Sequence, residues 1–451
     1  MRDEGENVTQ SALTAFLEKR FELSARGTTL RTEALAGVTT FLAMAYIVAV
    51  NPAILGQAGM PIAAVAAATC FSAGFATILM GLSANIPLAL APGMGLNAYF
   101  TFTVVKGMGV PWEVALGCVF FSGIAFLVLT LTGVRQLIIS AVPRFLFPAI
   151  AAGIGLFITF IGLHNAGIVV ANPATLVALG DLKAPGAALA LVGLAVIVVL
   201  HLWKVRGAVL IGILAVTGLG WALGQASLQP QAYDVSAITE TVLKLDIPAV
   251  FAPSATLGLL EIVFVFLFVD LFDNIGTLVG VAKRANLVNP DGSIPKLNRI
   301  LMVDATASIV GSLAGTSTVT SYVESAAGVQ AGGRTGLTSV VTGALFLLTM
   351  FVAPYAQLIP VYATAPALIL VGGLMIAPLA ELDWDDMLVS IPAFLTLVMI
   401  PLTFSIANGL AFGITAYAVL KLLAGKIGKG DWLLLSLAAL FIVRFIYLNG
   451  G

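Results

Sequence analysis

An all-α polytopic membrane protein with fourteen transmembrane segments, arranged as an inverted repeat of seven plus seven, is the fold class this sequence predicts. Three observations predict it. Of 451 residues, 60% are hydrophobic and only 10% are charged, against about 25% charged in soluble proteins, and mean hydropathy is +1.07. Apolar windows long enough to cross a bilayer recur along nearly the whole chain. Two of those windows, seven apart, read poorly as helices, and interrupted segments at matching places in two halves point to a transporter binding site.

The windows fall at 31–55, 61–83, 87–106, 111–133, 143–165, 185–203, 206–224, 254–282, 297–314, 316–331, 335–354, 361–379, 387–404 and 407–424. A last apolar piece, Trp432 to Leu448, is short and contains Arg444, so it is expected to lie along the inner face. The N-terminal residues mix acids and bases and have no early apolar core, unlike a cleaved signal peptide. With the N-terminus in the cytosol, most loop Lys and Arg fall inside, among them Arg135, Arg144, Arg206, Lys296 and Arg334. Only Lys106, Lys183 and Lys244 fall outside, the bias that orients membrane proteins. The longest outside connection, about Gln225 to Pro253, alternates in polarity and is expected to carry a short strand or an amphipathic helix.

In the third window, NIPLALAPGMGLNAYF places Pro87, Pro92, Gly93 and Gly95 inside a span; in the tenth, GTSTVTSYVESAAGVQAGG opens on a β-branched, hydroxyl-rich run. Each reads as a short strand preceding a half-helix that starts near the midplane. Extended backbone at that depth must be buried or line a cavity. The two half-helix N-termini would face each other and form a donor-rich, positive locus.

The eighth window, EIVFVFLFVDLFDNIGTLVGVAKR from Glu261 to Arg284, carries Asp270 and Asp273 about halfway along. An intramembrane carboxylate marks a functional site by default, because burying it alone is expensive. Three residues apart, the two acids are expected to share a helix face, extended by Thr277 one turn later. Glu324 is expected in the first turn of the second half-helix, after Tyr322 and Val323. Asn97 follows Gly93, Met94 and Gly95 in the first, where missing side chains let a solute approach the backbone. Two acids set against a positive helix end disfavour an anion. They suit a small, near-neutral, planar molecule rich in N–H donors, carried with a proton.

The stretches APGMGLNAYF (91–100), FDNIGTLVG (272–280), DATASIVGSLAGTSTVTSYVESAAG (304–328) and EALAGVTTFLAMAYIVAVNP (33–52) carry a resemblance. The chain resembles nucleobase transporters of the xanthine/uracil permease superfamily, adenine/guanine/hypoxanthine branch, over nearly all its length after residue 28. The resemblance implies import of purine nucleobases by proton symport, with alternating access and often a homodimer. It implies a cytosolic segment at 1–28 and a core domain at 29–133 and 254–355. A gate domain follows at 134–253 and 356–425, and a C-terminal interfacial helix at 426–451. It assigns substrate binding to Asp273, Thr277, Glu324, Tyr322 and Val323, with Asn97, Gly95 and Met94 at the matching third-segment motif. Proton coupling is expected among Asp273, Glu324, Asp304 and Asp270. The shorter acid at Asp273, where related branches carry glutamate, leaves room for a purine.

Blander readings stand beside these. Asp270 either binds or ties core helices together, Asp304 supports rather than touches substrate, and Asn97 either contacts ligand or holds two helices. Tyr322 stacks on a base or simply packs. Phe41, Phe100 and Phe272 belong to the core, His164 and His201 to the interface, and the acidic run 381–386 to a solvated loop. Cys70 and Cys118 read as small buried hydrophobes. No cofactor, metal or nucleic-acid partner is expected, at a net charge of −1. The alternatives are an anion exchanger or channel of the same fold, and an intramembrane enzyme, for which no nucleophile and base are apparent.

Overall fold

The computed structural model describes residues 14–133, 143–225, 236, 239–251, 256–285, 287 and 294–447. Arg135, the first residues of the expected cytosolic segment and most of the expected outer loop lie outside the described residues, as do the side chains of Phe272, Lys283, Arg284, Lys429 and Arg444. The helices are α1 (Leu30–Met44), α2 (Ile47–Leu55), α3 (Ile62–Ala84), α4 (Met94–Ala98), α5 (Trp112–Thr132), α6 (Leu146–Asn165), α7 (Pro185–Leu202), α8 (Ala208–Ala222) and α9 (Ile247–Val250). They continue with α10 (Thr256–Arg284), α11 (Leu297–Ala314), α12 (Ser325–Gln330), α13 (Gly336–Thr349), α14 (Val361–Leu374), α15 (Met387–Thr403), α16 (Ile406–Leu423) and α17 (Trp432–Tyr447). The strands are β1 (Leu90–Pro92), β2 (Val169–Asn172), β3 (Leu176–Leu179) and β4 (Val319–Ser321). Among the described residues, nine helices are long and apolar enough to cross a membrane.

Helix packing falls into two groups. In the first, α3 packs against α13, α11 and α2, while α5 packs against α10 and α11 and α1 against α13. In the second, α6 packs against α14 and α15, α15 against α16, and α7 against α8 and α14. Without a hydrophobic force between helices in lipid, such packing relies on close van der Waals approach at small residues. The α3–α13 pair shows how close. A Cβ at Gly343 would sit 2.6 Å from the Gly74 carbonyl, and Gly81 and Gly336 face each other more tightly still.

The ends of that pair are held electrostatically. Glu33, in the first turn of α1, has no exposed surface. Its Oε1 accepts from Arg334 N at 2.7 Å, and its Oε2 from Thr335 N at 3.3 Å, Thr338 N at 3.2 Å and Thr338 Oγ1 at 2.6 Å. A buried carboxylate thus supplies acceptors to the orphan N–H groups and positive dipole end of α13. At the opposite-signed end, that of α3, Lys296 Nζ donates to Ala84 O at 3.3 Å, Arg26 Nη1 to Asn85 O at 3.0 Å, and Arg20 to Leu82 O. Asn85, in a left-handed conformation with φ 56°, ties the two ends together: its Oδ1 accepts from Gly336 N at 2.8 Å. Phe21 and Leu23 of the N-terminal segment pack on Leu337 beside them.

The first window is one helical span, Leu30–Ala58, in which α1 and α2 join through the helical residues Ala45 and Tyr46, and α2 contains Pro52. Several other elements differ from the sequence reading. The third window continues past α4 as a π-helix, Tyr99–Gly107, a conformation often found at functional sites. An unexpected hairpin, β2 with β3, follows α6, paired from Val169↔Leu179 to Asn172↔Leu176. The described part of the 225–253 connection holds the short helix α9, capped by Asp246 Oδ1 accepting from Ala249 N at 3.0 Å. Asp386, in the acidic run, caps α15 through Leu388 N at 2.9 Å. Cys70 and Cys118 are buried and free.

Glu33→Ala should lower stability by about 3 kcal/mol or more, because it strips a buried network of its charge-assisted acceptor, whereas Glu33→Gln should restore part of it. Thermal unfolding of the purified variants in detergent checks this. Equal midpoints for Glu33→Ala and the parent protein would refute the assignment.

Candidate functional site

Two strands at the centre of the first helix group organise the site. β1 and β4 pair antiparallel, with Leu90 opposite Ser321, Ala91 opposite Thr320 and Pro92 opposite Val319. The pairing runs on through Gly93 N to Thr318 O at 2.9 Å and Tyr322 N to Ala89 O at 3.0 Å. Only three residues per strand pair regularly, so most other backbone groups need partners from side chains. Thr77 supplies both kinds: Leu90 N donates to its Oγ1 at 2.9 Å, and that hydroxyl donates to Leu90 O at 3.0 Å. Ser325 and Ser339 accept from Ala89 N and Leu88 N, each at 2.9 Å, and Ser308 donates to Val319 O at 3.0 Å. One hydroxyl each from α3, α11, α12 and α13 thus serves the strand backbone.

α4 and α12 lead away from the two strands. Glu324 is the residue immediately before α12 rather than within its first turn, and its side chain caps no N–H there. Its Oε1 instead accepts from the Tyr46 hydroxyl at 2.6 Å. Asp273 on α10 is half-buried, as are Thr277 one turn later and Glu324. The Glu324 carboxylate acts electrostatically on Asp273, Tyr46 and Tyr322, and Asp273 on Tyr322. Asp273, Glu324, Tyr322 and Tyr46 therefore form one locus. Val323, between Tyr322 and Glu324, is 55% exposed, although both preceding residues are buried, so the strand end opens onto free space. Tyr322 is only 6% exposed, and its hydroxyl donates to Pro92 O, spanning the strand pair.

The other expected residues have different surroundings. Asp270 and Asp273 do not share surroundings: Asp270 is fully buried and accepts from Ser308 Oγ of α11 at 3.4 Å. Three residues turn a helix about 60° short of a full circle, enough to aim the two acids at different neighbours. Asp304, fully buried, sits on α11 one turn before Ser308. Asn97 is fully buried: its Nδ2 donates to Asn51 Oδ1 at 2.6 Å and its Oδ1 accepts from Ser317 Oγ. Asn51 in turn donates to Thr69 Oγ1 at 2.7 Å and Thr316 Oγ1 at 2.9 Å. This polar clamp joins α2, α3, α4 and the segment before β4. Met94 is 7% exposed. Gly95 abuts Ile154 of α6, where any Cβ would collide, so its missing side chain admits a helix of the second group. Asn274 Oδ1 accepts from Ser321 Oγ at 3.4 Å and fastens α10 to β4. Among the described residues no cluster of His, Cys, Asp or Glu is arranged to hold a metal.

Half-helices launched from a paired strand core, with two half-buried acids beside them, suit a solute carrier. The model of the permease family that includes xanthine and uracil permeases matches residues 31–412. The chain belongs to that family. It is 50% identical over 436 residues to a Methanocaldococcus jannaschii chain described only as a permease, covering 96% of this chain and 99% of that one. It is 45% identical to the adenine permease AdeP of Escherichia coli, with 98% and 99% covered. It is 43% identical to the guanine/hypoxanthine permease PbuG of Bacillus subtilis, with 95% and 99% covered. Among solved structures, the transmembrane domain of the cyanobacterial bicarbonate transporter BicA superposes with a TM-score of 0.59 at 17% identity, covering 88% of this chain and 97% of that one. At that identity the likeness establishes fold alone. The protein is a multi-pass membrane permease and not an enzyme.

Tyr46 is the site residue the sequence reading missed. Its signal was a tyrosine inside the apolar run MAYIVAVNP, a polar hydroxyl that a span must satisfy. Tyr46→Phe removes a donor to a carboxylate, worth about 1.5–3 kcal/mol, and should cut solute flux on the order of tenfold while leaving membrane insertion intact. Unaltered flux in an uptake assay would show the bond to be idle.

Proposed function

We propose that this permease imports purine nucleobases together with protons. The observation that carries the reading is the pair of half-buried carboxylates, Asp273 and Glu324, which influence each other beside the strand pair where two half-helices begin. Carboxylates accept from ring N–H and amino groups, while backbone N–H groups beside β1 and β4 donate to carbonyl and ring nitrogen. In this reading Asp273 and Glu324 hold the base edge, and Thr277 contacts it one turn along α10. The Tyr322–Val323 backbone runs beside the ring, with exposed Val323 as an apolar shelf. Met94 and Gly95 border the site from α4, and Asn97 holds that border in place. The names of the relatives AdeP and PbuG support purine over pyrimidine.

One of the two acids takes up a proton as substrate loads and releases it inside, with Asp270 and Asp304 as the supporting pair behind β4. We further propose that the fourteen segments form a seven-plus-seven inverted repeat with the N-terminus in the cytosol. The antiparallel β1–β4 pair is what a two-fold axis in the membrane plane would produce. The two helix groups then act as core and gate: the first carries the acids, the second meets it at Gly95–Ile154, and their relative movement alternates access, each subunit working within a homodimer. Anion exchange on the same architecture is the weaker reading, since two acids at the site repel an anion.

Uptake of radiolabelled hypoxanthine into vesicles tests the proposal. Accumulation should require an inward proton gradient, collapse with protonophore, and be competed by adenine or guanine but not by uracil or bicarbonate. Asp273→Ala and Glu324→Ala should each abolish uptake with insertion intact. Gradient-independent uptake would remove the proton, and parent-like rates in either variant would remove the site.

A further inference from the structure

Away from the half-helices, a small cleft of about 50 Å³ lies between the ends of α3 and α10 and the turn that leads into α11. Its walls are apolar, built from Ile86, Leu88, Leu278, Leu287 and Ile294, and among the described residues its two charged lining residues, Arg26 and Lys296, are both cations. Lys296 adopts a left-handed backbone conformation, φ 57°, which a residue with a side chain holds only when its surroundings impose it. Burial and then the positive charge of Arg26 press its ammonium below the usual lysine range; Arg299 and Arg20 push the same way, and Glu22 alone opposes them. Glu22 already pairs with Arg26 at 3.5 Å. The carbonyls of Ala84, Asn85 and Arg334 take one donor from Lys296 and one nitrogen of Arg26, while an ammonium offers three donors and a guanidinium five. Among the described residues, cations with donors to spare therefore stand over an apolar recess.

We propose that this cleft binds an anionic phospholipid, its phosphate between Arg26 and Lys296 and its glycerol and first methylenes along Leu88, Leu278 and Ile294. Charge complementarity selects an anionic headgroup. The apolar walls, whose described residues offer a base or sugar no hydrogen-bonding side chain besides the two cations, select a lipid over a soluble phosphate. The location at the ends of membrane-spanning helices is where headgroups lie, and basic pockets between such helices suit acidic lipids. A lipid seated there braces α10 one turn beyond Thr277, on the helix that carries Asp273.

Thermal unfolding of the detergent-solubilised full chain, followed by labelling of the buried thiols Cys70 and Cys118 as they become accessible, tests the proposal. Phosphatidylglycerol should raise the midpoint, whereas phosphatidylcholine and inorganic phosphate should not. Lys296→Gln should need about fivefold more phosphatidylglycerol for the same shift, and Lys421→Gln, removing a cation elsewhere, should need no more than the parent. Ile294→Trp fills the recess without touching a charge and should also blunt the response. Equal stabilisation by phosphatidylcholine, reproduction by inorganic phosphate, or a parent-like response in either Lys296→Gln or Ile294→Trp would overturn it.

Discussion

Extended backbone inside a membrane protein must find every hydrogen bond within the protein, and the rest of this structure depends on how β1 and β4 do so. Each strand satisfies the other along three residues. Thr77, Ser308, Ser325 and Ser339 then reach in from surrounding helices to complete the accounting. That solution lets two helices begin inside the bundle instead of at its surface. It also fixes where Glu324 stands, at the start of α12, and therefore which neighbours it meets: Tyr46 by a hydrogen bond and Asp273 through space. Had the hydroxyls been apolar, the strands would have been too costly to bury.

A second constraint surrounds the first. α3 and α13 approach so closely at Gly74, Gly81, Gly336 and Gly343 that their ends must be neutralised locally. Glu33 does this for the positive end of α13, and Arg20, Arg26 and Lys296 for the negative end of α3. The same cations that cap α3 overlook the apolar cleft, so one cluster serves the fold and offers a surface to the bilayer. On the far side, Gly95 lets the first half-helix touch α6 of the second helix group.

Much of this was legible in the sequence. The two prolines and two glycines of NIPLALAPGMG and the hydroxyl run of GTSTVTSYVES marked the interrupted segments, because a membrane helix tolerates neither pattern without a reason. Other features carried no local signal. Tyr46 sits 278 positions from Glu324, too far for any local rule to pair them. The local sequence left Asn97 two roles, ligand contact or helix clamp, and only the fold shows its amide bonded to Asn51 and Ser317. The β2–β3 hairpin escaped notice because its residues, VVAN and LVAL, merge into the apolar background of the neighbouring spans.

By itself, the sequence determined the solvent and the type of the fold: at 60% hydrophobic residues, the chain must cross lipid as helices, and it must break where proline, glycine and hydroxyls interrupt them. It also singled out Asp273 and Glu324, since acids are rare enough in such surroundings to stand out one at a time. Only the tertiary structure decided their company. Which acid meets Tyr46, which is buried against Ser308, and which amide becomes a clamp depend on contacts between segments far apart in the chain, and those are set by how whole helices pack.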